Sequence, residues 1–184
     1  MLVFLLMSVK MALSLEKNDI LKIMIVNSES VETTQKLAKT LAQLVTPGTT
    51  ILLHGDLGAG KTTFTQGFAR ALGIKRPVKS PTFTLVREYQ TPEFMLYHLD
   101  VYRLGEEGGA DDLGLAEYFN PESVSLVEWS EFIQPDLPSD VLNVTLTRTD
   151  THDQIDQRKI EVTATGSHSQ QILNQLEQTY GIDD

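Results

Sequence analysis

The sequence predicts an α/β fold, a three-layer sandwich in which helices flank a mixed sheet with a partly parallel core and antiparallel strands. Two patterns predict it. In the first half of the chain, apolar runs of strand length alternate with segments of helical spacing, which is typical of parallel strands joined by helices. In the second half, short alternating runs follow one another directly, which favours antiparallel strands. With 184 residues, 41% of them hydrophobic, the chain has the length and apolar content of one domain with a real core.

The first half supplies a helix, a strand and a second helix. Residues 30–45 are predicted to be helical, because their apolar residues recur at helical spacing and Ser30 can cap the start. The apolar run Thr49–His54 predicts a buried strand. A glycine-rich turn follows it, and then a helix over Lys61–Leu72 that Gly73 closes.

The second half predicts mainly strands. Thr82–Tyr89 and Phe94–Asp100 should form an antiparallel hairpin, because the turn between them, at 91–93, is short. The same patterns predict a loop at Gly105, Gly108 and Gly109, a short helix over Asp111–Phe119, strands over Ser123–Glu128, Val141–Thr147 and Lys159–Thr163, and a polar terminal helix over Ser169–Tyr180.

A phosphate-binding loop is the most specific pattern in the chain. Residues 55–62 fill every fixed position of G-x-x-x-x-G-K-[ST], and a predicted strand and helix flank them as that loop requires. Lys61 would reach the β and γ phosphates and the Thr62 hydroxyl would bind Mg²⁺. The alternative is a glycine-rich turn that only allows close strand–helix packing. The predicted nucleotide-binding residues here are Gly55, Asp56, Leu57, Gly58, Ala59, Gly60, Lys61, Thr62 and Thr63.

Two acidic residues are candidates for the carboxylate that such a loop needs beside its metal ion. Asp100 and Glu128 each end a predicted apolar strand. Ligands of open α/β folds bind at the carboxyl edge of the sheet, so both acids fit the same site. For either residue alone, the alternative is a solvated residue that caps a strand.

Three further residues are weaker candidates. Ser80 opens the run Ser-Pro-Thr-Phe-Thr, whose hydroxyls could face the γ-phosphate, although a turn that enters a strand explains the same residues. Trp129, the only Trp, could shield the site or contact a partner, or simply pack in the core. His98 shares a strand face with Asp100, where a packed or hydrogen-bonded role is favoured over that of a general base.

Composition narrows the class of protein. The net charge of -10 argues against a broad surface for nucleic acid, since that affinity comes from clustered Lys and Arg. The lack of Cys excludes disulfides, thiol nucleophiles and Cys-based zinc sites. No Asn-Lys-x-Asp element of the kind that reads guanine is found, which favours ATP over GTP.

The amino terminus carries no convincing membrane or export signal. Its apolar run, Leu2–Met7, is far shorter than the roughly 20 residues that cross a bilayer, and no basic segment precedes it. We therefore expect a cytoplasmic protein without membrane contact. Residues 1–24 are interpreted as an extension, disordered or preceding the true start, and residues 25–184 as the single P-loop domain.

Four segments in order, GDLGAGKTT (55–63), SPTFTLV (80–86), HLDVYRL (98–104) and VEWSE (127–131), resemble the TsaE (YjeE) family. The resemblance runs from about Ile25 to Thr163. It implies an ATPase that acts with TsaD and TsaB in the threonylcarbamoyladenosine (t6A) modification of adenosine 37 in tRNAs that read ANN codons. It also implies that tRNA is contacted only through those partners.

The resemblance also implies roles for individual residues. Lys61 and Thr62 would hold phosphate and Mg²⁺, and Glu128 would complete the metal site. Asp100 and Ser80 would be needed for hydrolysis, and Trp129 would lie close to the nucleotide.

Two other functions share the phosphate loop. A small-molecule kinase usually carries an Arg-bearing lid, for which the only late basic pair, Arg158-Lys159, is poorly placed on a strand. A nucleotide-gated binding module with negligible turnover has the same motifs as an ATPase, so the sequence leaves that alternative open.

Overall fold

The computed structural model describes residues 22–107, 114–149 and 156–180. Its strands are β1 (Ile23–Ser28), β2 (Thr50–His54), β3 (Val86–Gln90), β4 (Met95–Asp100), β5 (Ser123–Glu128), β6 (Leu142–Arg148) and β7 (Arg158–Ala164). Its α-helices are α1 (Val31–Ala42), α2 (Lys61–Ala71), α3 (Tyr102–Glu107) and α4 (Ser167–Tyr180). Two 3₁₀ segments cover Leu115–Tyr118 and Ser130–Asp136.

The strands form one mixed sheet in the order β1-β7-β6-β2-β5-β4-β3. Strands β6, β2, β5 and β4 run parallel to their neighbours in that group, while β3, β7 and β1 pair antiparallel. The predicted fold class is therefore confirmed. Because β4 and β5 are parallel and in register, Asp100 lies directly beside Glu128.

Helices cover the two faces of the sheet unequally. On one face α1, α2 and α4 bury Leu37, Phe64 and Leu173 against the strands, each with no exposed surface. On the other face the two 3₁₀ segments cover β2, β5 and β4. Ile133 of the second segment belongs to the same buried cluster as Leu99 of β4. The outer face of β1 is open, as Ile25 is 53% exposed. The three layers are thus complete only around the parallel strands.

Strand β1 was not predicted. Its residues alternate between exposed and buried positions, but the apolar residues Ile23 and Ile25 occupy exposed ones. The sequence therefore lacks the alternation of polar and apolar residues that predicts a strand. The sheet begins at Ile23, slightly before the predicted start of the domain at residue 25. Residues 1–21 of the predicted extension lie outside the described residues.

Three local predictions were wrong. The strand predicted from Thr82 begins only at Val86, because Pro81 to Thr84 form a turn and Leu85 has a left-handed φ of 62°. Gly105 lies within α3 rather than in a loop, while Gly108 and Gly109 are outside the described residues. The helix predicted over 111–119 is a 3₁₀ turn over Leu115–Tyr118 in its described part. The 3₁₀ segment from Ser130 was not predicted.

Among the described residues, no helix combines the length and apolar character needed to cross a membrane.

Candidate functional site

The phosphate loop lies between the carboxyl end of β2 and the first residue of α2, in the predicted order of strand, loop and helix. Gly55, Gly58 and Gly60 have φ values of 134°, 78° and 112°, a region that favours glycine. A Cβ on Gly55 would lie 2.4 Å from the Leu146 carbonyl oxygen. The loop therefore packs directly on the backbone of β6, and the positive end of α2 points toward it.

Lys61 is buried at the start of α2. Its ammonium donates to two carbonyl oxygens of the loop itself, Gly55 at 2.6 Å and Asp56 at 3.2 Å. It also lies 4.4 Å from the centre of the Trp129 ring, within cation–π range. The charge is thus balanced by dipoles and a ring face, which a phosphate could replace.

Asp100 ends β4 and is 2% exposed. One carboxylate oxygen accepts hydrogen bonds from the hydroxyls of Ser80 at 2.7 Å and Thr82 at 2.5 Å. The other accepts from the Tyr102 backbone N–H at 3.2 Å. Asp100 therefore ties the turn that carries Ser80 to the carboxyl edge of the sheet.

Glu128 ends β5 and is 3% exposed. His98 lies fully buried on β4, and its Nε2 is 2.9 Å from a Glu128 carboxylate oxygen. His98 is therefore hydrogen-bonded inside the protein, as favoured from the sequence. Its Nδ1 has no hydrogen-bond partner among the described residues.

Aromatic rings close one side of the site. Trp129 has a left-handed φ of 62°, directly after β5. Its ring meets that of Tyr102 edge-on at 5.0 Å and stacks on that of Phe132 at 6.4 Å. Tyr102 and Phe132 were not identified as site residues from the sequence, because their places depend on tertiary packing: Tyr102 lines the cavity, and Phe132 packs against the rings of Tyr102 and Trp129.

A cavity of about 490 Å³ joins these groups. Leu57, Gly58, Gly60, Lys61, Thr62, Thr63, Ser80, Asp100, Glu128 and Trp129 line it, together with Thr82 and Tyr102. Of the predicted residues, Gly55, Asp56 and Ala59 do not line the cavity. Their backbone carbonyls accept hydrogen bonds from Lys61 and Arg158.

The oxygen donors around the cavity suit Mg²⁺. Thr62 supplies a hydroxyl and Glu128 a carboxylate, with Asp100 next to it. The described residues contain no group of three or more His, Cys, Asp or Glu that could hold a metal on its own. Proteins usually bind Mg²⁺ through one or two carboxylates while substrate phosphates and water complete the octahedron, so a hydroxyl and one or two carboxylates are the donors that such a site would take from the protein.

Two arginines beside the loop were also not identified as site residues. Arg148 and Arg158 are paired across β6 and β7. The Arg158 Nε donates to the Ala59 carbonyl oxygen at 2.8 Å, and a Cβ on Gly58 would lie 3.9 Å from an Arg148 guanidinium nitrogen. No local pattern could reveal these contacts, since Arg158 follows Ala59 by 99 residues.

A sequence model described as "Threonylcarbamoyl adenosine biosynthesis protein TsaE" matches residues 28–160, well over half of the chain. The chain belongs to the TsaE family. This confirms the resemblance seen from the four segments, and the TsaE family has a role in tRNA threonylcarbamoyladenosine biosynthesis.

Individual TsaE relatives match over most of their length. The chain is 46% identical to the tRNA threonylcarbamoyladenosine biosynthesis protein TsaE of Bacillus subtilis, over 79% of this chain and 88% of the relative. It is 40% identical to the protein of that name from Haemophilus influenzae, over 76% of this chain and 86% of the relative. The crystal structure of Bacillus subtilis YdiB superposes with a TM-score of 0.75 at 38% identity, covering 88% of this chain and 99% of that one.

Proposed function

We propose that this TsaE-family protein is a magnesium-dependent ATPase that acts in the cytoplasm with TsaD and TsaB in the t6A modification of adenosine 37 in tRNAs reading ANN codons. One observation carries the ATPase part: Lys61, Asp100 and Glu128 meet at one cavity beside a phosphate loop. Family membership and the names of the relatives support the pathway. The acidic net charge of -10 suits a subunit that reaches tRNA through its partners.

The chain's own groups would bind the phosphates of ATP. The loop presents backbone N–H groups at the start of α2, and such N–H groups with the helix dipole favour an anion. Lys61 would exchange its bonds to the Gly55 and Asp56 carbonyls for phosphate oxygens. Thr62 and Glu128 would hold Mg²⁺, which when bound offsets the charge on the phosphates.

Hydrolysis would depend on the turn that Asp100 holds. Phosphoryl transfer is accelerated mainly by positioning and electrostatic stabilisation. Because Asp100 fixes the hydroxyls of Ser80 and Thr82 at the cavity wall, we infer that these groups orient the attacking water. His98, bonded to Glu128, would hold that carboxylate in place.

Steady-state ATP hydrolysis with Mg²⁺ tests the proposal, for the protein alone and then with TsaD, TsaB and tRNA, using Lys61→Ala as the blank. We expect weak activity that rises only when the partners are present. Fast turnover without partners that is accelerated by a small-molecule acceptor would indicate a kinase. Nucleotide binding without turnover in any mixture would indicate a nucleotide-gated binding module.

Two variants separate binding from turnover. Asp100→Ala should leave the affinity for Mg-ATP within about twofold and reduce turnover about 100-fold, the usual effect of losing a group that acts on the transition state. Thr62→Ala or Glu128→Ala should abolish the dependence of nucleotide affinity on Mg²⁺. Glu131→Gln is the control for Glu128, since Glu131 is exposed three residues further along. Full Mg²⁺ dependence in Glu128→Ala would contradict the metal assignment.

A further inference from the structure

Arg158 lies at the first position of β7, a strand with no residue in the four family segments. Its Nε donates to the carbonyl oxygen of Ala59 at 2.8 Å, in the middle of the phosphate loop. The same guanidinium donates through Nη1 to the Gln157 carbonyl oxygen at 2.7 Å. Gln157 in turn accepts from the Thr149 N–H at 3.1 Å. The guanidinium is thus fixed to the end of the β6–β7 hairpin and reaches the loop from there.

The bond to Ala59 has a geometric consequence for its neighbour. A peptide unit is planar and trans, so the carbonyl of Ala59 and the N–H of Gly60 point in opposite directions. With the carbonyl held toward Arg158, the Gly60 N–H is turned away from β7. Gly60 lines the cavity and Ala59 does not.

Two cations therefore hold the loop in different ways. Lys61 donates to the Gly55 and Asp56 carbonyl oxygens, contacts that it would exchange for phosphate oxygens under the proposed function. Arg158 is anchored outside the loop, on Gln157, and can keep its bond to Ala59 while a nucleotide is bound. Its contribution is present before the ligand arrives.

We propose that Arg158 is a positioning residue for nucleotide binding: it holds the Ala59–Gly60 peptide so that the Gly60 N–H faces the phosphates. This inference rests on the proposed nucleotide-binding function. A guanidinium suits the role because its several N–H donors lie in a fixed plane and can hold two carbonyls at once.

The test is calorimetric titration of Mg-ADP into the wild type, Arg158→Met and Arg158→Lys. Met keeps the apolar stem and removes every donor. We expect Arg158→Met to raise the Kd about tenfold, in line with the loss of one hydrogen bond from a charged donor. Arg158→Lys keeps a cationic donor group but loses the planar guanidinium that holds the Ala59 and Gln157 carbonyls together, and it should raise the Kd about threefold. The matched control is Lys159→Met, which removes a charge from the next position of β7 and should leave the Kd unchanged.

Salt distinguishes positioning from simple charge attraction. Attraction between separated charges is largely screened at high ionic strength, whereas a buried peptide held by a hydrogen bond is not. We expect the ratio of the Arg158→Met and wild-type Kd values to be the same at about 0.1 M and about 0.5 M salt. Over this range the Debye length falls below about 10 Å, so attraction between separated charges would weaken. In steady-state kinetics the same variant should raise KM and leave kcat within about twofold, since the contact is made in the ground state.

Several results would overturn the inference. One is an Arg158→Met variant whose Kd for Mg-ADP equals that of the wild type. Another is a ratio of the Arg158→Met and wild-type Kd values that falls to one at high salt. If Arg158→Met does not fold, wild-type affinity in Arg158→Lys overturns it instead. If the wild type itself binds no Mg-ADP, the proposed function fails and this inference with it, whereas normal wild-type binding with an unaffected Arg158→Met removes the inference alone.

Discussion

Two groups of neighbouring strands, β2-β5-β4 and β7-β6, contribute to the site in different ways. Strands β2, β4 and β5 end at the phosphate loop, Asp100 and Glu128, the groups that face the cavity. Strands β6 and β7 contribute no lining residue, but their Leu146 carbonyl and Arg158 side chain lie against the loop backbone. Strands β2, β4 and β5 therefore lead into the groups that line the cavity, whereas the β6–β7 hairpin lies against the backbone of the loop.

The largest effect is expected at Gly55, where the loop after β2 contacts the backbone of β6. In Gly55→Ala a Cβ would approach the Leu146 carbonyl oxygen to 2.4 Å, at a φ of 134°. We expect a loss of about 3 kcal/mol in the free energy of unfolding, from backbone strain and overpacking, together with loss of measurable Mg-ADP binding. Urea unfolding and calorimetric titration measure the two effects.

Gly73→Ala is the matched control for Gly55→Ala. Gly73 also has a positive φ, 82°, but nothing lies within 4 Å of its Cβ position. We expect about 1 kcal/mol of destabilisation from backbone strain alone and an unchanged Kd. Equal effects of both substitutions on nucleotide binding would show that contact with β6 does not shape the loop.

A smaller effect, confined to stability, is expected at Asp140, just before β6. One carboxylate oxygen of Asp140 accepts from the His168 N–H at 2.9 Å, and the other from the N–H and hydroxyl of Ser169 at 2.9 Å and 2.6 Å. Asp140→Ala should lower the free energy of unfolding by about 1 to 2 kcal/mol, as for a lost helix cap. The Kd for Mg-ADP should not change. The exposed Asp136 offers the control, Asp136→Ala, with no expected effect.

The contribution of Asp140 should depend on pH. Burial raises the pKa of its carboxyl, but hydrogen bonds from the Ser169 side chain and from the Ser169 and His168 N–H groups lower it, and the net pKa lies below the ordinary value. The stabilisation is therefore complete above the unfolded pKa of about 3.9 and is lost as the pH falls below it and through the folded pKa. Unfolding curves of wild type and Asp140→Ala should converge in that acidic range. A constant difference at all pH values would contradict a role for the ionised carboxylate.

The smallest effect is expected on the open face of β1. Ile25 is 53% exposed there, and Thr has a similar preference for strands, so Ile25→Thr should change the free energy of unfolding by less than about 0.5 kcal/mol. Val26→Thr at the adjacent buried position should cost about 1 to 2 kcal/mol, because it buries a hydroxyl. If Ile25→Thr were the more damaging of the two, the face would be covered in solution.

The β3–β4 hairpin and the strand–loop–helix course around the phosphate loop were predictable because each depends on nearby residues. The partly parallel sheet was predictable because helical segments alternate with the early strands. The convergence of Asp100 and Glu128 followed from the rule that parallel strands share a carboxyl edge. Strand β1 escaped prediction because Ile23 and Ile25 are exposed apolar residues, and the start of β3 because Leu85 adopts a left-handed turn. The contacts of Arg158 with Ala59 and of Tyr102 with Trp129 depend on tertiary packing. The catalytic, nucleotide and metal roles of the cavity residues stay predictions.

The position of Trp129 over Lys61 has a practical consequence. The indole is the only one in the chain, so any ultraviolet emission excited near its absorption edge originates at this position. The ammonium lies 4.4 Å from the ring centre, and the emission of an indole responds to charge at that range. Under the proposed function Lys61 would turn from the loop carbonyls to a phosphate, and the wavelength or intensity of the Trp129 emission should then change. The unlabelled protein would in that case report nucleotide binding in real time.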